Sequence, residues 1–307
     1  MNQAGLDTRH VFLCADANFV VPLGVTLRSL AETQSEPSLL CVTVLHAGIP
    51  DRDHERLRAS VPELSVRFVP IEEQLPTDIP SVGHINRMAY GRLFGVDLLP
   101  SDAARAVYLD SDLLITTDIG FLFSVDLAGA PIAAVQSASI PEVSCPSGLA
   151  QWRNLAMSPR TPYMNSGVLA IDSNAWKARG LGREVLDFVR AHQDDISLAD
   201  QDGFNGVLAG DWAALPLRWN QESCLRNSPH FAYSFFAQDE VDEALRDPAI
   251  IHFAGPRKPW HVHCEDPAAA QWRDVLDRTE FRNHKLTRPP EVRRLAAARR
   301  VKRLLRL

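Results

Sequence analysis

Several absences narrow the reading before any motif is considered. The five cysteines, at 14, 41, 145, 224 and 264, are odd in number, widely spaced and never arranged as CxxC. Neither a disulfide framework nor a cysteine-based zinc cluster is therefore predicted, and a reducing, cytoplasmic setting is expected. No uninterrupted apolar run reaches the ~18 residues of a membrane-spanning helix. The opening MNQAGLDTRH lacks the basic-then-apolar order of a secretion signal. There is no internal repeat and no low-complexity segment. Net positive charge is also missing: the formal charge is -6, which gives no reason to expect nucleic acid as the main partner.

What remains is ample material for a core. With 307 residues, 46% of them hydrophobic, the chain can form one large α/β domain or a main domain with a smaller appendage. Short apolar runs alternate with helix-period segments. VFLCAD precedes LGVTLRSLAET, in which Leu23, Leu27 and Leu30 recur at helical spacing; LLCVTVLHAG precedes DRDHERLRAS; SVRFVP ends at Pro70. A Pro-rich connection through Pro76 and Pro80 leads to a predicted helix over 86–98 and then to the strand AVYLD running into SDLLI. Such alternation predicts a parallel sheet with helices on its faces and ligands beyond the carboxyl ends of its strands, where Asp16 and Asp110 stand. Beyond Asp126 the rhythm loosens: PIAAVQ, YMNSGVLAID and AIIHFAG read as strands, SNAWKARGLGREVLDFVRAH as one helix, and DQDGFNGVLAG as a short helix or loop.

The strand AVYLD delivers two carboxylates, Asp110 and Asp112, two residues apart. Turned toward one ion, they supply the hard oxygen ligands that suit Mg²⁺ or Mn²⁺, and such an ion neutralises a diphosphate leaving group. The alternative is a solvated turn after a strand. A chemical rival shares the pattern: haloacid-dehalogenase-like phosphatases also end an apolar strand in DxD, the first Asp being the nucleophile. In those the motif opens the chain, whereas about a hundred residues precede it here, and Leu114 stands where Thr or Val is preferred.

Six segments in order, FLCADANF, YGRLFGVDLLP, VYLDSD, YMNSGVLAID, ADQDGFNGVLAG and IHFAGPRKPWH, resemble the family 8 retaining glycosyltransferases, a group that includes bacterial lipopolysaccharide galactosyl- and glucosyltransferases and glycogenin. The resemblance runs from about Val11 to His261. It implies a GT-A fold, a Rossmann-like mixed α/β sheet with helices on both faces, formed by residues 1–265 and followed by a helical C-terminal extension over 266–307. It also implies a UDP-hexose donor, UDP-glucose or UDP-galactose, and retention at the anomeric carbon.

Carried over position by position, the resemblance makes Asp110, Asp112 and His252 the ligands of Mn²⁺ (or Mg²⁺), a mixed carboxylate–imidazole set that suits the ion. Asp16 and Asn18 fall where the family contacts uracil and ribose; taken alone they are turn or cap residues. Arg92 is expected near sugar hydroxyls and phosphate-side carboxylates, Lys258 near the diphosphate, and Gly255 where backbone approaches it closely. Arg257 is peripheral. Asn165, Asp200 and Gln201 are expected to line the hexose pocket, Gly167 to permit close packing, and Asp202 to serve either pocket or scaffold.

Two routes lead to retention. Double displacement needs a protein nucleophile beside the anomeric carbon. At the family's candidate position stands Gln201, and an amide is a poor nucleophile, so front-side substitution is the first choice, with Asp200 the second choice as covalent participant. The implied acceptor is a glycan or lipid-linked hydroxyl, while SASIPEVSCPSGLAQWRNLA has no family landmark and is assigned to the acceptor side. The other reading of the whole chain is a catalytically silent nucleotide-sugar-binding module. From Lys285 to Leu307 there are nine Lys or Arg and one acid, Glu291. Over 296–307, helical projection places Val301, Leu304 and Leu305 opposite Arg299, Lys302, Arg303 and Arg306, the pattern either of a helix that contacts an anionic membrane surface or another polyanion, or of a solvated basic chain end.

Overall fold

A computed structural model describes residues 8–79 and 87–288. In chain order the elements are β1 (Arg9–Asp16), α1 (Val20–Thr33), β2 (Leu40–Ala47), α2 (Asp51–Ser60), β3 (Ser65–Pro70), α3 (Arg92–Leu98), β4 (Arg105–Leu109), β5 (Leu113–Ile115), α4 (Gly120–Ser124), β6 (Ile132–Gln136), β7 (Met164–Asp172), α5 (Ser173–Arg179), α6 (Leu181–Ala191), α7 (Asp200–Leu208), β8 (Ala213–Leu215), β9 (Gln221–Glu222), α8 (Ser223–Asn227), α9 (Gln238–Arg246), β10 (Ile250–His252) and α10 (Ala269–Leu276). Seven strands form a mixed sheet in the order β3-β2-β1-β4-β7-β6-β8. Its first four are parallel, and β7 runs antiparallel to both β4 and β6.

Both faces of this sheet are covered, which explains why its central strands read as nearly unbroken apolar runs. Along β1, Val11, Leu13 and Ala15 enter the core shared with α1, whereas Phe12 and Cys14 enter the core shared with α3, α6 and α7. The same period of two on β4 sends Val107 and Leu109 one way and Ala106 and Tyr108 the other. From β1 the chain moves outward to β2 and β3, then returns to place β4 on the opposite side of β1. The crevice beyond β1 and β4 is thus the topological switch point where open α/β sheets bind ligands.

A second sheet, β5-β10-β9, is hung beside the first. The link between β4 and β5 is pinned from below by α1: the hydroxyl of Thr26 bonds the carbonyls of Ser111 and Leu113 at 3.0 and 2.9 Å. After the last strand, α10 returns to the main body. Trp272, Val275, Leu276 and Phe281 join the same core as Leu23 and Leu27. No helix among the described residues is long and apolar enough to cross a membrane. The basic amphipathic stretch over 296–307 and Asn86 lie outside the described residues.

Two helix expectations change. The segment 87–98 begins as a 3₁₀ helix (Arg87–Gly91) and becomes α-helical only at Arg92. The single helix predicted over 173–192 is two, because Gly180 adopts a left-handed φ of 69°, a conformation that ends a helix. The break re-aims α6 so that Gly182 abuts the backbone of α3: a Cβ on Gly182 would lie 2.1 Å from the carbonyl oxygen of Leu93. Backbone cannot rotate away as a side chain does. Gly182→Ala is expected to lower the stability of the fold by about 1–3 kcal/mol, the usual range for overpacking, read as a reduced urea midpoint; an unchanged midpoint contradicts this packing.

Candidate active site

The three sequence-predicted ligands meet because two strand pairings bring them together. Asp110 directly follows β4, its N–H donating to the carbonyl of Gly167 on β7 at 2.8 Å. Asp112 directly precedes β5, and the antiparallel register that pairs His252 with Leu113 sets the imidazole beside it. His252 Nε2 lies 3.5 Å from Asp112 Oδ1 and 3.8 Å from Asp110 Oδ2. One ligand atom from each residue falls within 4.8 Å of the others. Gly167 forms the wall behind them. A Cβ there would stand 2.6 Å from His252 Cε1 and 2.8 Å from Asp110 Oδ2, so any other residue would push into the space between these two side chains.

Charge around this cluster is balanced by two cations of the chain. The ammonium of Lys258 pairs with Asp112 and donates to the carbonyl of Phe253 at 2.7 Å. Burial pushes the Asp112 carboxyl up, but Lys258 and His252 outweigh it and hold the group below the usual carboxylate range. Buried Arg92 spans two acids, with Nη2 2.9 Å from Asp110 Oδ1 and Nε 3.1 Å from Asp200 Oδ2. Its Nη1 donates to the carbonyl of Ser166 at 2.6 Å, and its guanidinium lies 4.5 Å from the ring centre of Tyr108. Burial disfavours the guanidinium charge, yet Asp110 and Asp200 more than restore it.

Asp200 and Gln201 open α7 just after Ala199, whose φ of 51° bends the chain inward. Asp200 is 2% exposed and accepts from the Ser166 hydroxyl at 3.1 Å. Burial pushes its carboxyl up to about 6, against the pull of Arg92. The amide oxygen of Gln201 accepts from the N–H of Ser166 at 3.1 Å. Asp202, two residues on, is scaffold: it accepts from Tyr163 at 2.6 Å and from the N–H groups of Ser197 and Leu198.

These groups line one cavity of about 330 Å³ beyond the carboxyl ends of β1 and β4. Asp16, Arg92, Asp110, Asp112, Asn165, Asp200, Gln201, His252, Gly255 and Lys258 all face it. Gly255 has a φ of 88°, a left-handed backbone that favours glycine. Asn18 does not line the cavity; it is exposed, and its N–H and side chain bond the two oxygens of Asp16 at 2.8 and 3.4 Å in a local turn. Arg257 is exposed.

The sequence reading missed four contributors. The Tyr108 hydroxyl donates to Asp110 at 2.6 Å, and Ser166 ties Arg92, Asp200 and Gln201 together. Buried Asn220 and Glu222 stand behind His252 and Asn165: His252 Nδ1 is 2.8 Å from Asn220 Oδ1, and Asn165 donates to Glu222 at 3.0 Å. Tyr108 carried a signal, since it sits two residues before Asp110 on a strand and so shares its face. Asn220 and Glu222 lie in a short segment with no periodicity to announce them.

The raised Asp200 carboxyl predicts a pH dependence of stability. An unfolded carboxyl titrates at about 3.9, so the folded chain holds more protons through the window from about pH 4 to 6. Stability therefore falls as pH rises through that window. In chelator-treated protein, wild type should lose up to about 1.4 kcal/mol per pH unit relative to Asp200→Asn there; a difference independent of pH contradicts the burial of an ionisable group at this position.

Comparison with known proteins agrees with the geometry. Residues 10–264 match the Glycosyl transferase family 8. General stress protein A of Bacillus subtilis (strain 168) is 26% identical over 277 residues, 89% of this chain and 94% of that protein. The lipopolysaccharide 1,2-glucosyltransferase of Escherichia coli (strain K12) is 24% identical over 275 residues, 87% of this chain and 77% of that protein. Among solved structures, the galactosyltransferase LgtC in complex with donor and acceptor sugar analogs superimposes with a TM-score of 0.75 at 21% identity, covering 88% of this chain and 96% of that one. That likeness establishes the GT-A fold. The match over most of its length shows that this chain belongs to glycosyl transferase family 8.

Proposed function

We propose that this glycosyltransferase moves a hexose, glucose or galactose, from its UDP conjugate to the hydroxyl of a glycan or lipid-linked acceptor, with retention and with a divalent cation, Mn²⁺ (or Mg²⁺). The single observation that carries the reading is the convergence of Asp110, Asp112 and His252 on one point of the cavity. The donor set fits such a cation: two carboxylates and an imidazole, with a glycine at a wall position where a Cβ would intrude. When bound there, the cation would supply charge neutralisation for a departing diphosphate.

The chain's own residues divide the remaining work. Lys258, beside Asp112 and following the left-handed turn at Gly255, brings a point positive charge to the side of the cavity where the diphosphate is expected. Asp16, at the end of β1, lies at the edge assigned to the nucleoside, and Asn18 acts there by fixing the Asp16 carboxylate. Arg92 orients Asp110 and Asp200 by pairing with both across one small space. Asn165, Asp200 and Gln201 are assigned to the hexose hydroxyls.

Front-side substitution is favoured over a covalent route. The Asp200 oxygen that Arg92 and Ser166 hold is already committed, and the Gln201 amide is a weak nucleophile. The leaving phosphate oxygen is then the base that takes the acceptor proton. Membership of family 8 leaves the phosphatase reading without support. The acidic pair, His252 and Lys258 stand together in the cavity, which favours turnover over a silent binding module.

UDP-glucose and UDP-galactose, each incubated with and without Mn²⁺, provide the test. One donor should be slowly hydrolysed only with the cation, and Asp112→Asn should slow that hydrolysis by about 10²-fold or more, the rate equivalent of several kcal/mol of lost charge stabilisation. No metal-dependent cleavage of either donor points to the binding module, and a glycosyl adduct trapped on Asp200 overturns the front-side route. Contact of the basic 296–307 segment with membrane is checked separately, by sedimenting full-length chain and a chain ended at 285 with anionic vesicles; equal binding removes it.

A further inference from the structure

Behind the imidazole of His252 runs a line of buried amides that ends on a carboxylate. His252 Nδ1 is 2.8 Å from Asn220 Oδ1; Asn220 Nδ2 is 2.9 Å from Asn165 Oδ1; Asn165 Nδ2 is 3.0 Å from Glu222 Oε1. All four residues are at most 5% exposed. Amide oxygens and nitrogens are interchangeable in shape, so the direction of such a line has to be deduced from its fixed ends.

Both ends here are fixed. Asn165 Oδ1 receives the backbone N–H of Gly167 at 2.8 Å, a group that only donates. On its other side the Asn165 amide meets Glu222, whose carboxylate already accepts from the N–H groups of Ala138 and Ser139 and is an acceptor. Turning Asn165 over would set two donors against each other at Gly167 and two acceptors against each other at Glu222. With Asn165 so held, Asn220 must present its NH₂ to Asn165 Oδ1 and its oxygen to His252. An oxygen facing Nδ1 requires a proton on Nδ1. The lone pair available for a cation is then on Nε2, the nitrogen 3.5 and 3.8 Å from the two aspartates.

We propose that Asn220 is a positioning residue: through the line from Glu222 and Asn165 it keeps the proton on His252 Nδ1 and reserves Nε2 for the cation. Glu222 also holds Ser137 and Ser139 by their hydroxyls, at 3.0 and 3.1 Å, so the same line anchors the 137–139 segment against the cavity. The proposal rests on the metal reading above for its purpose, while the proton assignment stands on the hydrogen bonds alone. Partners of this kind, behind a ligating histidine, change metal affinity by about 10–100-fold when removed.

The experiment reads the imidazole and the cation separately, on the full chain. Nitrogen-15 NMR of the histidine side chains, with His252 assigned by comparison with His252→Gln, should find Nδ1 protonated in metal-free wild type and still protonated with saturating Mg²⁺, which changes only Nε2. Mn²⁺ titration followed by electron paramagnetic resonance should then show Asn220→Leu binding about 10–100-fold more weakly than wild type, with the Nδ1 preference lost. Asn220→Asp, which keeps an acceptor facing Nδ1, should retain the preference and bind more tightly than Asn220→Leu. A bare Nδ1 in metal-free wild type overturns the proposal whatever the variants do, including a variant that fails to fold. Unchanged Mn²⁺ affinity in folded Asn220→Leu overturns it too. Wild type that keeps the Nδ1 proton yet takes up no Mn²⁺ overturns the metal reading and the relay's purpose with it, and is distinguished by its intact imidazole signal.

Discussion

The cost of burying carboxylates governs this site. Asp110, Asp112 and Asp200 are brought to one half-enclosed cavity, where water screens like charges poorly and an unpaired anion is costly. Arg92 answers Asp110 and Asp200, Lys258 answers Asp112, and the side of the cluster between Asp110, Asp112 and His252 is left facing the cavity. In the proposed function, a cation and the diphosphate of a sugar nucleotide complement that uneven neutralisation. It also explains why Asp112 and Asp200 move in opposite directions although both are buried: one has an ammonium and an imidazole against it, the other shares a single guanidinium.

The fold exists to hold these charges at close range. The long sheet supplies Asp16 and Asp110 from adjacent parallel strands, and the small sheet supplies His252 from a strand far along the chain. Neither sheet could do this alone. The hinge between them is the Asp110–Asp112 segment, fastened by the Thr26 hydroxyl below and by the amide of Phe253 beside it, which donates to the Asp112 carbonyl at 3.2 Å. Glycine enters where the two sheets and their helices come too close for a Cβ. Gly167 admits Asp110 and His252 to one another, and Gly182 admits α6 to the backbone of α3.

Much of this was legible in the sequence, for identifiable reasons. Strand runs such as VFLCAD and VLAID were plain because strands covered on both faces are apolar throughout, and DxD stood out because two acids end such a run. The partnership of His252 with that pair came from motif order, since no local pattern relates residues so far apart in the chain. What stayed hidden has a common cause. Gly180 inside an otherwise helical stretch gave no sign that α6 must pivot toward Leu93, and Asn220 and Glu222 matter only through partners on β7 and β10 that the register of other strands brings near. The turn between Asp16 and Asn18 shows the reverse limit: a matching motif marked Asn18 for the ligand, while the structure has it bonding its neighbour.

Crystals grown with UDP and Mn²⁺, examined for anomalous scattering at the manganese edge, give the most direct measurement. One strong peak is expected, bonded to Asp110, Asp112 and Nε2 of His252, with the diphosphate completing its coordination. A manganese peak elsewhere in the molecule, or UDP seated in the cavity with no metal between it and the two aspartates, would contradict it.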